Sequence, residues 1–283
     1  MCKYDFDQHT TTGFQYKKIL LIGATSGTGK ALAERFIKEG SYVIAIGQRK
    51  ERLEELVHRF GHEKVSAVPF DITKVDATKA FAMNVTGTHE DLDCIVLNSG
   101  IQRKIDFSEP EEVDMDVVNE EFVTNYLSQL AITKEFLPFL KKKSTETALV
   151  YTTSGLAMIP ITRCMNYCAT KAALHQFILS LRVQLIDTKI KVIELIPPAV
   201  QTELHDAKHQ PDIKNGHLLG MPLDEFTEEA YRGLADGFEQ IPVGRSKQSF
   251  KAFETRRQEL FAGVVKAMSG GKVDWTPEGT APP

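Results

Sequence analysis

Lys17-Lys18-Ile19-Leu20-Leu21-Ile22 runs directly into Gly23-Ala24-Thr25-Ser26-Gly27-Thr28-Gly29, and a helical pattern over about 30–39 follows. The apolar run has the length of a buried strand. Glycines let backbone approach a ligand closely, and a helix N-terminus offers unpaired N–H groups to a pyrophosphate. A glycine cluster alone is equally an ordinary strand-to-helix turn. Its place after the first strand of the chain points to a dinucleotide loop. The spacing is G-x-x-x-G-x-G, not G-x-G-x-x-G.

Further along, YVIAIG (42–47), KVSAVPF (64–70), LDCIVLN (92–98), ALVYTT (148–153) and IKVIEL (190–195) read as strands. Helical patterns over 51–60, 74–86, 113–141 and 166–186 separate them. Continuous Val/Ile/Leu strands alternating with helices predict a parallel sheet covered on both faces. The expected fold class is α/β: a Rossmann-type, doubly wound parallel sheet of about seven strands in three α/β/α layers. Ligands of such sheets bind at the carboxyl ends of the strands.

The chain has 283 residues, and 34 Lys+Arg against 38 Asp+Glu give a net charge of −4. Hydrophobic residues make up 42% and charged residues 25%, enough apolar surface for a core, which excludes a disordered chain. A pI near 6.1 gives no electrostatic reason for a nucleic-acid or anionic-membrane partner. No apolar run spans a membrane, and residues 1–16 lack the apolar segment of a signal peptide. The four sparse cysteines (Cys2, Cys94, Cys164, Cys168) suit reduced thiols rather than a disulfide scaffold. The expected location is the cytoplasm.

More motifs follow the glycine loop in order. Asp71-Ile72 comes after the third strand, Asn98-Ser99-Gly100 after the fourth, and Asn125 within a helix. Ser154 follows the fifth strand, and Tyr167-x-x-x-Lys171 begins thirteen residues beyond it. Together these resemble the short-chain dehydrogenase/reductase family over most of the chain. The resemblance implies a catalytic tetrad of Asn125, Ser154, Tyr167 and Lys171. It implies a nicotinamide cofactor on Gly23, Thr25, Ser26, Gly27, Thr28, Gly29, Arg49, Asp71, Ile72, Asn98, Ser99, Gly100, Tyr167, Lys171, Pro197, Val200 and Thr202. Asp71 would contact adenine, Asn125 would hold a water linking Lys171 to solvent, and helices 113–141 and 166–186 would join a homodimer or homotetramer. Three positions depart from the family pattern: Ile22 replaces Thr, Ser99 replaces Ala, and Pro198 stands where Gly usually follows Pro197. Proline lacks an N–H, so only later amides such as that of Val200 can hold the carboxamide. The motif order implies one domain over 17–268, with a polar N-terminal extension (1–16) and a tail (269–283).

Tyr167 and Lys171 are i and i+4, so they share a helix face. A tyrosine with a pKa of about 10 is a poor acid–base group at neutral pH, and a nearby ammonium, together with the positive charge of an oxidised nicotinamide, lowers that pKa. Tyr167 then exchanges a proton with the substrate oxygen while Ser154 orients it. The expected reaction is reduction of a ketone or aldehyde to an alcohol, or the reverse, by hydride transfer. The same tetrad also serves isomerisation or dehydration, and a retained scaffold can be a non-catalytic NADP(H) sensor. The second strand ends Gly47-Gln48-Arg49-Lys50-Glu51-Arg52, with no acid before Glu51 for a ribose 2′-OH. Arg49 suits a 2′-phosphate, which favours NADP(H) over NAD(H), although Gln48 stands where related sequences often carry Arg.

The segment 203–226, with His205, His209, His217, Pro211, Gly216, Gly220 and Pro222, reads as a substrate-covering loop, with no metal site expected. Met158 and Ile159 would wall the pocket beside it and suit a lipophilic carbonyl compound. Cys164 and Cys168 read as small packing residues near Tyr167, His175 as a packed or interface residue, and Trp275 as an anchor in the tail.

Overall fold

Seven segments of the computed structural model, which describes residues 14–276 and Ala281, form strands. They are β1 (Lys18–Ile22), β2 (Tyr42–Gly47), β3 (Val65–Pro69), β4 (Cys94–Leu97), β5 (Thr147–Thr152), β6 (Ile190–Ile196) and β7 (Gln240–Pro242). They pair in the order β3-β2-β1-β4-β5-β6-β7, and every pairing is parallel. Their continuous apolar runs follow from burial on both faces. Ile19, Leu21, Val43, Ala45 and Val96 face one apolar layer, and Leu20, Ile22, Ile44, Ile46 and Leu97 face the other. Each side chain so buried contributes about 1.5–3 kcal/mol.

The first layer is closed by α1 (Gly27–Lys38), α2 (Lys50–Phe60) and α7 (Leu223–Ala235), through Leu32, Phe36, Leu53, Phe226 and Leu234. The second is closed by α3 (Thr78–Thr88), α5 (Ser128–Leu140) and α6 (Met165–Gln184), through Phe81, Ile132, Phe136, Leu174 and Ile178. The stretch predicted as one helix over 113–141 is α4 (Met115–Phe122), a π-helical turn (Val123–Leu127) and α5 in continuous succession. The short α8 (Ser246–Ser249), a second π turn (Phe250–Glu254) and α9 (Thr255–Met268) end the domain. Among the described residues, no helix is long and apolar enough to cross a membrane.

Several boundaries differ from the sequence expectations. Helix α1 starts at Gly27, three residues earlier than expected, because the glycine loop itself supplies its first turn. Phe14 and Tyr16, assigned by sequence to the polar extension, are buried, and Phe14 stacks on Phe36 at 5.0 Å. Residues 1–13 of that extension lie outside the described residues. The tail is anchored where it is described. Trp275 packs edge-on against Phe261 at 5.4 Å, and the Ala281 amide donates to the Gln240 carbonyl at 2.9 Å. Residues 277–280 and 282–283 lie outside the described residues. The irregular segment expected over 203–226 gives way to a helix earlier, because α7 begins at Leu223.

Candidate active site

Ile22 pairs with Ile46 on one side and Leu97 on the other, so the loops after β1 and β4 diverge from one point. This is where the strand order reverses, the usual crevice of such sheets. The two loops are packed too tightly for side chains. A Cβ on Gly29 would lie 2.1 Å from the Gly23 carbonyl oxygen, and one on Gly23 would lie 2.8 Å from Ser99 Oγ. Gly23 also has φ +92°, where other residues are strained. Asn98 Oδ1 accepts from Thr28 Oγ1 at 3.1 Å and from Thr152 Oγ1 at 3.0 Å, tying this cradle to β5. Ser26 starts α1 without capping it through its side chain, which leaves first-turn amides free for an anion.

The cradle opens into a cleft of about 680 Å³, within the ordinary range for small-molecule sites. Gly23, Thr25, Ser26, Gly27, Thr28, Arg49, Ile72, Asn98, Ser99, Gly100, Ser154, Tyr167, Lys171, Pro197, Val200 and Thr202 all line it. Gly29, Asp71 and Asn125 do not line it. The Asp71 carboxylate accepts from Gln48 Nε2 at 2.7 Å and from the Thr73 amide and hydroxyl at 3.0 and 2.7 Å. Burial works against its ionised form, but these hydrogen bonds and Lys74 hold its pKa below the usual range.

Ser154 caps a 3₁₀ turn after β5, accepting from the Leu156 amide at 3.1 Å, and lines the same cleft as the Tyr167 phenol. Lys171 Nζ lies 5.7 Å from the Tyr167 ring centroid and donates to the Thr152 carbonyl at 2.8 Å. Burial pushes the Lys171 pKa down to about 8, against the opposing pull of Glu121 and Glu194. Tyr167 departs from the sequence expectation. Burial raises its pKa, and the Ser154 side chain only partly offsets this. The expected lowering by Lys171 is outweighed because the phenol is almost wholly desolvated.

Asn125 is fully buried in the π turn. Its Oδ1 accepts from the Ile101 amide at 2.8 Å, and its Nδ2 donates to the Ile101 carbonyl at 2.9 Å and to Thr170 Oγ1 at 3.1 Å. A Cβ on Gly100 would lie 3.3 Å from both Asn125 Oδ1 and Lys171 Nζ, so Gly100 leaves both groups facing one gap. The π turn carries no local sequence signal, yet such single-turn bulges concentrate at functional sites.

At the far end of the cleft, Arg49 donates to Thr25 Oγ1 through Nε at 3.2 Å and Nη2 at 3.0 Å, and also to Ser26 Oγ. Its Nη1 pairs with Glu203 at 2.6 Å, a partner that sequence reading missed.

The cleft is also lined by Leu156, Ile161, Ile213 and Leu219 together with Gln102, Arg103, Arg163, His205 and Lys208. Met158 and Ile159 do not line it, and Ile159 is exposed. The turn that Ser154 caps brings Leu156 inward instead. Arg163 pins the covering segment by a two-pronged pair with Asp212 at 2.9 and 2.5 Å, and it also bonds Gln210. His205, expected in a solvated or covering loop, is buried against Gln210. Cys164 and Cys168 pack with Tyr167 and Leu156.

Residues 17–212 match the family model described as short chain dehydrogenase. The chain is 35% identical over 225 residues to the uncharacterized oxidoreductase DltE of Bacillus subtilis, covering 79% of this chain and 86% of that one. It is 36% identical over 185 residues to serine 3-dehydrogenase of Agrobacterium fabrum, covering 65% and 72%. A short chain dehydrogenase from Burkholderia cenocepacia, solved in complex with NADP, matches with a TM-score of 0.70 at 23% identity, covering 89% and 99%. At that identity the likeness is one of fold.

Proposed function

The chain belongs to the short-chain dehydrogenase family and is an NAD(P)-dependent oxidoreductase, and from that premise we propose that it interconverts a small carbonyl compound and its alcohol using NADP(H). The observation that carries this reading is that Ser154, Tyr167 and Lys171 line one cleft with the glycine cradle, Lys171 Nζ lying 5.7 Å from the Tyr167 ring centroid. The cradle fits a dinucleotide. Gly23 and Gly29 let the loops after β1 and β4 pack against each other beneath the cleft, and the amides at the start of α1 suit a pyrophosphate.

The hydride chemistry comes from the bound nicotinamide; the chain's own residues bind, orient and move protons. Ser154 donates a hydrogen bond to the substrate oxygen and fixes it beside Tyr167. Tyr167 gives its phenolic proton to that oxygen as negative charge develops there, or takes one in reverse. Lys171, held by the Thr152 carbonyl, stabilises the tyrosinate left behind. Asn125 and Lys171 face the gap beside Gly100, the route by which the proton is replaced from solvent. A family tetrad with these contacts speaks against a purely cofactor-sensing protein.

The mixed lining suits a carbonyl compound with both apolar and polar parts rather than a purely lipophilic one. A panel of ketones, aldehydes and quinones with NADPH, and of hydroxy acids with NADP+, followed by NADPH absorbance, tests this. Hydroxy acids join the panel because of the serine 3-dehydrogenase relative. Turnover of any carbonyl is the expected result; NADPH binding without turnover of any member would favour the sensor reading. We further propose that the protein works in the cytoplasm as a homodimer or homotetramer. Leu127 and Ile186, exposed apolar residues beside α5 and α6, support such an interface.

The adenosine end supplies the cofactor test. Arg49→Ala removes hydrogen bonds to a charged group and is expected to weaken NADPH about tenfold or more. NADH should change by about twofold or less. Fluorescence titration of the two cofactors measures both, and equal weakening would sink the NADP(H) assignment.

A further inference from the structure

Glu203 opens the covering segment directly after Thr202, and its carboxylate reaches back across the cleft to the adenosine end. Its Oε2 lies 2.6 Å from Arg49 Nη1, and its Oε1 lies 3.4 Å from Arg52 Nη2. The hydrogen bond from Arg49 outweighs burial and, with the charges of Arg49 and Arg52 and the Ser26 hydroxyl, holds the Glu203 pKa below the usual range. An anion belonging to the chain therefore sits on the donors that the NADP(H) reading reserves for the 2′-phosphate. A phosphate carries nearly two negative charges at neutral pH. A second anion on the same guanidinium and hydroxyl is repelled.

The residue is also part of the substrate wall. The Glu203 carbonyl accepts from His209 Nδ1 at 2.9 Å, and the Leu204 carbonyl accepts from Gln210 Nε2 at 2.7 Å. His205 in the same turn lines the cleft. Glu203 and His205, two residues apart, thus both line the cleft.

We propose that Glu203 is an internal stand-in for the ribose 2′-phosphate, which NADP(H) but not NAD(H) displaces from Arg49 and Arg52, releasing the start of the covering segment. This rests on the NADP(H) reading above. It makes Glu203 a residue that sets cofactor selectivity and couples the choice of cofactor to the substrate wall. The carboxylate weakens NADP(H) binding when considered alone, and in exchange it makes loop release depend on the 2′-phosphate.

Glu203→Gln keeps the side-chain size and removes the charge. Fluorescence titration is expected to show NADPH binding about fivefold tighter in the variant, the scale of a half-exposed ion pair. NADH should change by about twofold or less. Hydrogen exchange gives a readout independent of activity. In the parent protein 2′,5′-ADP should speed exchange of the 203–210 amides and ADP should not; in Glu203→Gln exchange should already be fast. Weaker NADPH binding in the variant would overturn the proposal. So would a loss confined to NADH, the outcome for a carboxylate that holds a 2′-hydroxyl, or exchange indifferent to the 2′-phosphate. Arg49→Ala separates the levels. If it weakens both cofactors equally, the NADP(H) reading fails and the proposal with it. If it weakens NADPH selectively while Glu203→Gln leaves NADPH unchanged, the proposal alone falls.

Discussion

Tyr167→Phe is expected to lower kcat by about 10²–10⁴-fold, the usual range for loss of a positioned acid–base group. NADPH should still bind, because the glycine cradle and Arg49 are untouched. The ring fills the same space, so the fold should survive; a circular-dichroism melt checks that. Full activity in the variant would remove Tyr167 from the chemistry. The pH profile adds a second reading. Lys171 sits near 8 because of burial, so support for tyrosinate should fade as pH rises through about 8. Lys171→Arg cannot lose its charge in that range, and a bend caused by Lys171 should vanish in it. The sign for stability is separate. The folded pKa of Lys171 lies below its unfolded value, so its burial costs stability below about pH 8. That cost is relieved as pH rises toward the unfolded value.

The second large effect lies under the site. His175 is four residues beyond Lys171 on α6 and is buried between two carboxylates. Its Nδ1 lies 2.6 Å from Glu194 Oε1, and its Nε2 lies 3.0 Å from Glu254 Oε1. Arg257 lies 2.8 Å from Nε2, but its guanidinium is paired with Glu254. Burial pushes the His175 pKa down, and the carboxylates overcome it and raise it to about 9. Glu254 falls correspondingly to about 2: burial raises it, and hydrogen bonds from His175 and Arg257 win. Because the folded pKa of His175 lies above its unfolded value, its stabilisation is complete below about pH 6.5 and is lost as pH rises through about 9. His175→Gln should therefore cost on the order of 3 kcal/mol at pH 6.5, the size of the shift, and much less at pH 9.5. Urea unfolding at the two pH values measures it, and an equal loss at both would refute the charged-histidine account. The same network reaches the site, since Glu194 Oε1 also accepts from Thr153 Oγ1 at 2.6 Å, one residue before Ser154.

Much of this was legible beforehand. The six strands named from apolar runs all form, because a sheet buried on both faces writes itself as unbroken Val/Ile/Leu. β7 has only three residues and no such run to show. Tyr167, Lys171 and Ser154 line one cleft, because an i, i+4 spacing and a strand end are local constraints. From sequence, His175 reads only as a packed or interface residue. Its ion pairs had one faint signal, the glutamate inside IKVIEL, since a carboxylate in a buried strand needs a partner. Met158 and Ile159 were misplaced because a 3₁₀ turn decides which residue after Ser154 points inward, and that turn depends on the Ser154 cap.

The strand–glycine–helix opening, the order of the motifs and the family are legible along the chain, because each depends on short-range spacing. The tertiary structure alone decided the protonation balance and the ion pairs. Burial of Tyr167, the π turn around Asn125 and the meeting of Arg49 with Glu203, 154 residues apart, arise only when distant segments share a desolvated space. The physical reason is that pKa values and salt bridges depend on distance and dielectric, and neither quantity is written in the order of residues.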